Sequence, residues 1–245
     1  MKIIRKQITA STSADVREII ESTDACGDFM VIADEQTAGR GRSGKSFLSP
    51  LGGLYFSLSI PCPFPINEAV SATSCTAVAV VRVLDRVCGI DCGIKWVNDI
   101  YVGRRKLCGI LTEAVHIHGG SVSSSHLIIG IGMNLASSPT VTTSSVKAIS
   151  LAECGVCVND ELRFLLASRI GEEIFRMRDG HFDFPAVRDE YISHSLAPGH
   201  EITYTQNGIT KTALAVGIDA RGGLEVISEG EKLTLTSGEI SVRLK

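Results

Sequence analysis

The sequence predicts a mixed α/β domain followed by a small all-β module. Hydrophobic residues make up 44% of the 245 residues and charged residues 21%, so a sizeable core is available and global disorder is excluded. Glycine is abundant, at 24 residues, while aromatic residues are only 5%. That suits a glycine-rich α/β chain better than a coiled coil or a surface that stacks nucleic-acid bases. Short apolar runs alternate with helical apolar faces as far as Ser195, after which only short alternating segments remain.

Residues 1–8 read as a short strand. Ser11, Thr12 and Ser13 then offer N-cap oxygens to a helix carrying Val16, Ile19 and Ile20 at i, i+3 and i+4. FMVIA (29–33) is a buried strand, and DEQTAGRGRSGKS (34–46), polar and rich in glycine, is a long loop. LYFSLSI (54–60) alternates and predicts a strand. Asn67 is placed to cap a long helix running to Val87, with Val70, Ala77, Val80, Val81, Leu84 and Val87 buried. IKWVNDIYVGRRKLCGILTEAV (94–115) divides into two or three strands with a turn at Gly103, and LIIGIG (127–132) is a buried strand. SSPTVTTSS (137–145) is a Ser/Thr loop, expected at a mobile or variable surface. Asp160 is expected to cap a second long helix, with Leu162, Leu165, Leu166, Ile170, Ile174 and Met177 on one face. A short helix follows from Pro185 to Ser193.

From Glu201 onward EITYT, ITKTALAVGI, GLEVI, KLTL and ISVRL predict five short strands, joined at Asn207-Gly208, Arg221-Gly222-Gly223 and Glu229-Gly230. Such a module is a small β-barrel in outline, and too small to be robust alone, so it packs on the larger domain. The expected division is residues 1–195 and 196–245.

The formal net charge of −3 provides no basic field to hold nucleic acid. The uncharged stretch from Phe47 to Asn67 is broken by Pro50, Gly52, Gly53, Pro61, Pro63 and Pro65, so no membrane span is expected. The N-terminus lacks the apolar block of a signal peptide, and the 8 cysteines then read as reduced thiols of the cytoplasm. Cys154 and Cys157 form a lone C-x-x-C without a second pair, and the 6 histidines show no ligand spacing, so no metal site is expected.

The segment GRGRSGKS (39–46) satisfies the nucleotide-binding pattern G-x-x-x-x-G-K-[ST]. Its context does not: that pattern must open a helix, whereas FLSPLGGLYFSLS follows, with Pro50, Gly52 and Gly53 as breakers. What remains is an anion-binding loop. Arg40, Arg42 and Lys45 stand among glycines that let backbone N–H groups approach an anion, and arginine forks grip carboxylate or phosphate. Three such cations repel one another, so the loop is expected to be mobile until an anionic ligand orders it.

QTAGRGRSGKSF, KWVNDIYVGRRKLCGILTEA and GIGMNLA, in this order, resemble the biotin protein ligases, whose usual forms are close to Q-T-x-G-R-G-R-x-G-R/K-x-W, K-W-P-N-D followed by K-x-x-G-I-L-x-E, and G-I-G-I-N. The resemblance covers most of residues 9–135 at the level of motifs. It implies a mixed α/β catalytic domain related to class II aminoacyl-tRNA synthetases and lipoate ligases, followed by an SH3-like barrel. It also implies a two-step reaction: biotin and MgATP give biotinyl-5′-AMP and pyrophosphate, and the biotinyl group then passes to a lysine of a biotin carboxyl carrier protein, as in acetyl-CoA carboxylase.

Residue roles implied by the resemblance follow the matching positions. Ser11, Thr12 and Ser13 match the family's S-T-N and, with Gln36, would hydrogen-bond biotin; Ser13 stands in place of Asn. Gly39, Arg40, Gly41 and Arg42 match the ligand-ordering loop, and Lys45 joins its phosphate-facing cations. Lys106 matches the lysine that contacts the biotin carboxylate and the α-phosphate, and Gly109 and Gly130 would let the ligand lie close to backbone. Asn98 and Asn134 match residues near the nucleotide, and Phe47 stands where Trp stacks on adenine. Val97 replaces the usual Pro, and Asp99 would orient or deprotonate the acceptor amine. The resemblance allows a homodimer through an exposed sheet edge. Three other readings set the tests. One is a transcription regulator, for which the start of the ligase-like segment at Ser11 leaves no room for a DNA-binding domain. The others are a ligase for lipoate or octanoate and a P-loop NTPase.

Overall fold

The structure is a computed structural model, and it describes all residues except 24–26, 63–68, 120–121, 140–146, 207, 237–240 and 245. The expected cap Asn67, the hairpin residue Asn207 and most of the Ser/Thr loop lie outside the described residues.

A seven-stranded sheet forms the body. Its strands are β1 (Lys2–Thr9), β2 (Phe29–Gln36), β3 (Leu54–Pro61), β4 (Gly93–Lys95), β5 (Asp99–Val102), β6 (Arg105–Gly119) and β7 (Val122–Met133), in the order β1-β2-β3-β7-β6-β5-β4. Only β1 and β2 run parallel; the connection between them is α1 (Thr12–Thr23), and the remaining neighbours are antiparallel. The region 94–115 therefore contains three strands, with the β5–β6 turn at Gly103 as expected.

Two apolar layers hold the sheet. On one face α1 places Val16 and Ile20 against Phe29, Val31, Val115 and Ile128. On the other face lie α2 (Ala69–Cys88), α3 (Asp160–Asp179) and α4 (Phe184–His194), burying Met30, Ile32, Phe56, Leu58, Ile129 and Ile131. Covering both faces explains a departure from the sequence reading. The alternating LYFSLSI is buried at every position, because β3 lies between β2 and β7 and its polar members Ser57 and Ser59 face inward as well.

The second long helix is capped one residue earlier than expected. The Asn159 side chain accepts from the Leu162 N–H at 2.8 Å, and Asp160 is instead the first helical residue, where its charge suits the helix N-terminus. Leu165, assigned to the buried face, is 39% exposed. The inward positions are taken by Arg163, Leu166, Ala167, Ile170 and Ile174, so the stripe is narrower than its leucines suggest. Arg163 is retained inside because it donates to Asp34 and to the Ala33 carbonyl, both at 2.6 Å.

The C-terminal residues form a five-stranded antiparallel sheet from β8 (Glu201–Gln206), β9 (Ile209–Ile218), β10 (Leu224–Ser228), β11 (Glu231–Leu235) and β12 (Ser241–Leu244), in the order β11-β10-β9-β8-β12. Ile202, Tyr204, Ala213, Ala215, Leu224 and Val226 join the main core, so the module is not packed as a separate globule. Polar contacts fix it as well. The Trp96 indole donates to the Gly222 carbonyl at 2.9 Å, and Arg188 of α4 donates to the Ile218 carbonyl. No helix among the described residues is long and apolar enough to cross a membrane.

Candidate active site

The site lies on the sheet face that carries α1, where the glycines of β6 and β7 form a floor. Gly130 and Gly132 project from the same face of β7, about 7 Å apart along the strand. At Gly130 a Cβ would stand 2.7 Å from the Ser13 hydroxyl and 3.3 Å from that of Ser57. At Gly132 it would stand 2.5 Å from the Phe47 ring, and at Gly109 it would meet that ring at 3.1 Å and the Lys106 ammonium at 3.2 Å. At Gly109, Gly130 and Gly132 the neighbouring side chains already stand where a Cβ would be, so glycine is what lets them approach the floor.

One end of the floor is uncharged and polar. Ser11, Thr12 and Ser13 are all buried at the start of α1. Gln36, at the end of β2, accepts from the Thr12 backbone N–H at 2.9 Å and donates to Ser49 at 2.8 Å. The Ser57 hydroxyl links those of Thr12 and Ser13, at 2.8 and 2.9 Å. Ser57 and Ser49 belong to this set, and the sequence reading missed them. The signal for Ser57 was a small polar residue among the bulky apolar residues of LYFSLSI, in a strand too buried to leave a serine without a partner.

The other end is cationic. It is organised by the turn Trp96–Asp99 between β4 and β5. Asn98 donates its amide to the Ile110 carbonyl at 2.7 Å and accepts from Arg42 at 3.1 Å. Asp99 pairs with the Lys106 ammonium at 2.7 Å. The Lys106 ammonium lies 5.7 Å from the centre of the Phe47 ring. Burial lowers the Arg42 pKa from its ordinary value, and Asp99 partly opposes that shift. Two buried polar atoms beside this end, the Arg42 Nη2 donor and the Asn134 Oδ1 acceptor, have no hydrogen-bond partner among the described residues. A phosphate or carboxylate fits the first and an amino group the second. Asn134 is otherwise a strut, donating to the Ile149 carbonyl at 3.0 Å.

The loop from Gly39 to Phe47 is not the free array of like charges that the sequence suggested. Arg40 pairs with Glu113 of β6 at 2.8 Å, and Glu113 also meets Arg17 of α1 at 3.5 Å. The loop closes on itself through Gly41 N–H to the Lys45 carbonyl at 2.7 Å and Phe47 N–H to the Gly39 carbonyl at 2.8 Å. Its arginines thus have partners from the body of the protein, and these offset their mutual repulsion. Glu113, an acidic residue of β6, is one of them. Arg42–Gly44 forms a single 3-10 turn, and Lys45 continues in extended backbone rather than opening a helix, so the phosphate-loop geometry is absent here. Lys45 is exposed at the rim, and Gly39 is buried under the Phe47 carbonyl. Burial pushes the thiols of Cys75 and Cys92 up to about 12, which leaves them neutral and poorly nucleophilic at physiological pH.

Two sequence profiles match the chain. One describes the biotin/lipoate A/B protein ligase family and covers residues 5–134; the other describes the biotin protein ligase C-terminal domain and covers residues 199–243. Among curated relatives, the biotin–[acetyl-CoA-carboxylase] ligase of Paracoccus denitrificans is 26% identical over 95% of this chain and 97% of its own length. The bifunctional ligase/repressor BirA of Bacillus subtilis is 35% identical over 60% of this chain, and the chain spans only 45% of that protein's length. The BirA of Escherichia coli is 30% identical over 91% of this chain and 68% of its own length. The structure of the Aquifex aeolicus biotin protein ligase in complex with biotin and ATP superposes with a TM-score of 0.79, at 27% identity over 100% of this chain and 99% of that one. With both profiles covering the two sheets in turn, and a cationic loop, a glycine floor and a polar pocket where the matched motifs lie, the chain belongs to the biotin/lipoate A/B protein ligase family.

Proposed function

We propose that this chain is a biotin protein ligase that joins biotin to ATP as biotinyl-5′-AMP and then transfers the biotinyl group to a lysine of a biotin carboxyl carrier protein. The name of the Paracoccus relative supports acetyl-CoA carboxylase as the acceptor. The observation that carries the reading is the polarity of the floor. A hydroxyl–amide set around Ser57 stands at one end, the Arg42–Lys106 cations stand at the other, and the floor between them carries Gly109, Gly130 and Gly132, with the Phe47 ring against it. A ligand with an uncharged hydrogen-bonding head and an anionic tail fits that gradient. Residues 1–195 then form the catalytic unit and 196–245 the accessory one.

The first step needs no general base, because the acid is already ionised at neutral pH. Its carboxylate oxygen attacks the α-phosphorus, and the bond to the departing pyrophosphate breaks. The difficulty is bringing two anions into line, and Lys106 and Arg42 supply the cations at the meeting point. Magnesium arrives with ATP and neutralises its phosphates. Phe47 offers an aromatic face to the adenine, and the Asn134 Oδ1 acceptor and Asn98 lie beside it. The mixed anhydride is labile in water, and the loop 39–47 covers it. In the second step a neutral lysine amine attacks the acyl carbon and AMP leaves. The Asp99 carboxylate is already engaged by the Lys106 ammonium at 2.7 Å, so we assign it an orienting role.

The test is a thermal shift with biotin, ATP and both. Each ligand is expected to raise Tm, and the pair to raise it by more than the sum, because both load one loop. A midpoint with both ligands no higher than with ATP alone would contradict the reading. The same site predicts that Gly130→Ala displaces the Ser13 hydroxyl and raises KM for biotin about tenfold, while KM for ATP changes by less than about twofold. Steady-state exchange kinetics with each substrate varied in turn check this.

A further inference from the structure

The C-terminal module meets the chain beside the cationic end of the site through a buried hydrogen bond. Trp96 is 4% exposed, and its indole N–H donates to the Gly222 carbonyl at 2.9 Å. That carbonyl belongs to a tight β9–β10 turn, which is itself pinned. One carboxylate oxygen of Asp219 accepts the Arg221 and Gly223 backbone N–H groups, both at 2.8 Å. Arg188 of α4 donates to the carbonyls of Ile218 and Asp219, at 3.1 and 3.3 Å. From the same helix the buried Tyr191 hydroxyl donates to the Val97 carbonyl at 3.4 Å. Two residues beyond Trp96, Asn98 receives Arg42, and three beyond, Asp99 receives Lys106. The chain has no slack between these points, because Ile110 N–H bonds back to the Asn98 carbonyl at 2.9 Å.

We propose that Trp96 is a positioning residue through which the Asp219–Gly223 turn of the C-terminal module sets the Asn98–Asp99 turn, and with it Arg42 and Lys106, for adenylate formation. This rests on the ligase reading. Trp96 touches neither substrate. Its indole fixes the backbone whose next residues aim the two cations at the carboxylate and phosphate ends. The polar set of Ser11, Thr12, Gln36 and Ser57 hangs on α1, β2 and β3 and does not depend on this link. Loss of the link therefore lowers kcat rather than biotin affinity. A displacement of the cations by a fraction of an ångström is enough, since aligned charge accounts for much of such a step.

The experiment uses the full chain as wild type, Trp96→Phe, Asp219→Ala and the double variant. Biotin-dependent ATP–pyrophosphate exchange is measured well below each melting midpoint, with biotin varied. Trp96→Phe keeps an aromatic ring in the core and removes the N–H. It is expected to lower kcat about tenfold, with KM for biotin within about twofold. Asp219→Ala, which loosens the turn from the module's side, is expected to lower kcat in the same direction. The double variant is expected to be no slower than the slower single variant, because both act through one bond. A role confined to stability would shift Tm and leave kcat alone. Wild-type kcat in Trp96→Phe overturns the proposal, and so do losses in the two single variants that multiply in the double. Should Trp96→Phe not fold, an unchanged kcat in Asp219→Ala overturns it equally. Absence of exchange in the wild type would be a failure of the ligase reading itself, a result distinct from these.

Discussion

Lys106→Ala is expected to slow biotin-dependent ATP–pyrophosphate exchange by about 10²–10³-fold, the usual loss when one preorganised charge at a developing anion is removed. Three features make Lys106 the most sensitive position. It lies on β6 three residues before Gly109, across the irregularity in the β5–β6 register, and its ammonium reaches over the floor, 3.2 Å from where a Cβ at Gly109 would be. It is held there by Asp99 at 2.7 Å, which means that its position is set before any anion arrives. It also lies beside the Phe47 ring, so one residue touches both the acid end and the nucleotide end of the proposed ligand. Lys106→Arg is not expected to rescue the rate, since a guanidinium fork cannot occupy the same point beside Gly109 and Asp99. Thermal shift with biotin alone should be reduced but not lost, because Lys106 meets the acid end while the head-group contacts are elsewhere. Exchange at the wild-type rate in Lys106→Ala would remove this residue from the reaction.

Most of the fold was legible because local and global signals agree. The helix faces of α1 and α2, the Gly103 turn and the five short terminal strands all follow from periodicity and turn chemistry, whereas the Thr12 and Ser13 hydroxyls expected as caps bond Gln36 and Ser57 instead. The motifs were legible as chemistry because glycine and arginine interleave only where backbone and cation must both approach an anion. What escaped depends on distant partners. Ser57 becomes a site residue only because β3 lies beneath the start of α1, 44 residues away from Ser13 in the chain. Glu113 becomes a counter-ion only when the loop folds across β6, bringing Arg40 from 73 residues away. The capping error at Asp160 has a local origin: two adjacent residues can both cap, and backbone geometry decided for Asn159. Trp96 is core by its burial, and its indole N–H finds a partner only 126 residues later.

Arg42→Ala is expected to act on retention more than on the chemical step. Arg42 belongs to the covering loop, not the floor, and it is fastened to the fixed turn only by its bond to Asn98 at 3.1 Å. Its remaining buried donor, Nη2, has no partner among the described residues, so a phosphate or carboxylate oxygen completes it at no loss to them. A charge-assisted bond of this kind contributes about 1.5–3 kcal/mol. Its removal is therefore expected to weaken biotinyl-5′-AMP binding by about 10- to 150-fold, from the same range converted at 1.4 kcal/mol per decade. The signature differs from that of Lys106. Adenylate still forms, but it escapes and hydrolyses, so pyrophosphate release outruns biotin transfer to the carrier. Measuring free biotinyl-5′-AMP in single-turnover samples, beside carrier-bound biotin, separates the two roles. Equal losses in both products would confine Arg42 to the chemistry it shares with Lys106 and deny the loop its function as a cover. Asn98→Ala should produce a weaker form of the same leak, because it frees the Arg42 side chain without removing its charge.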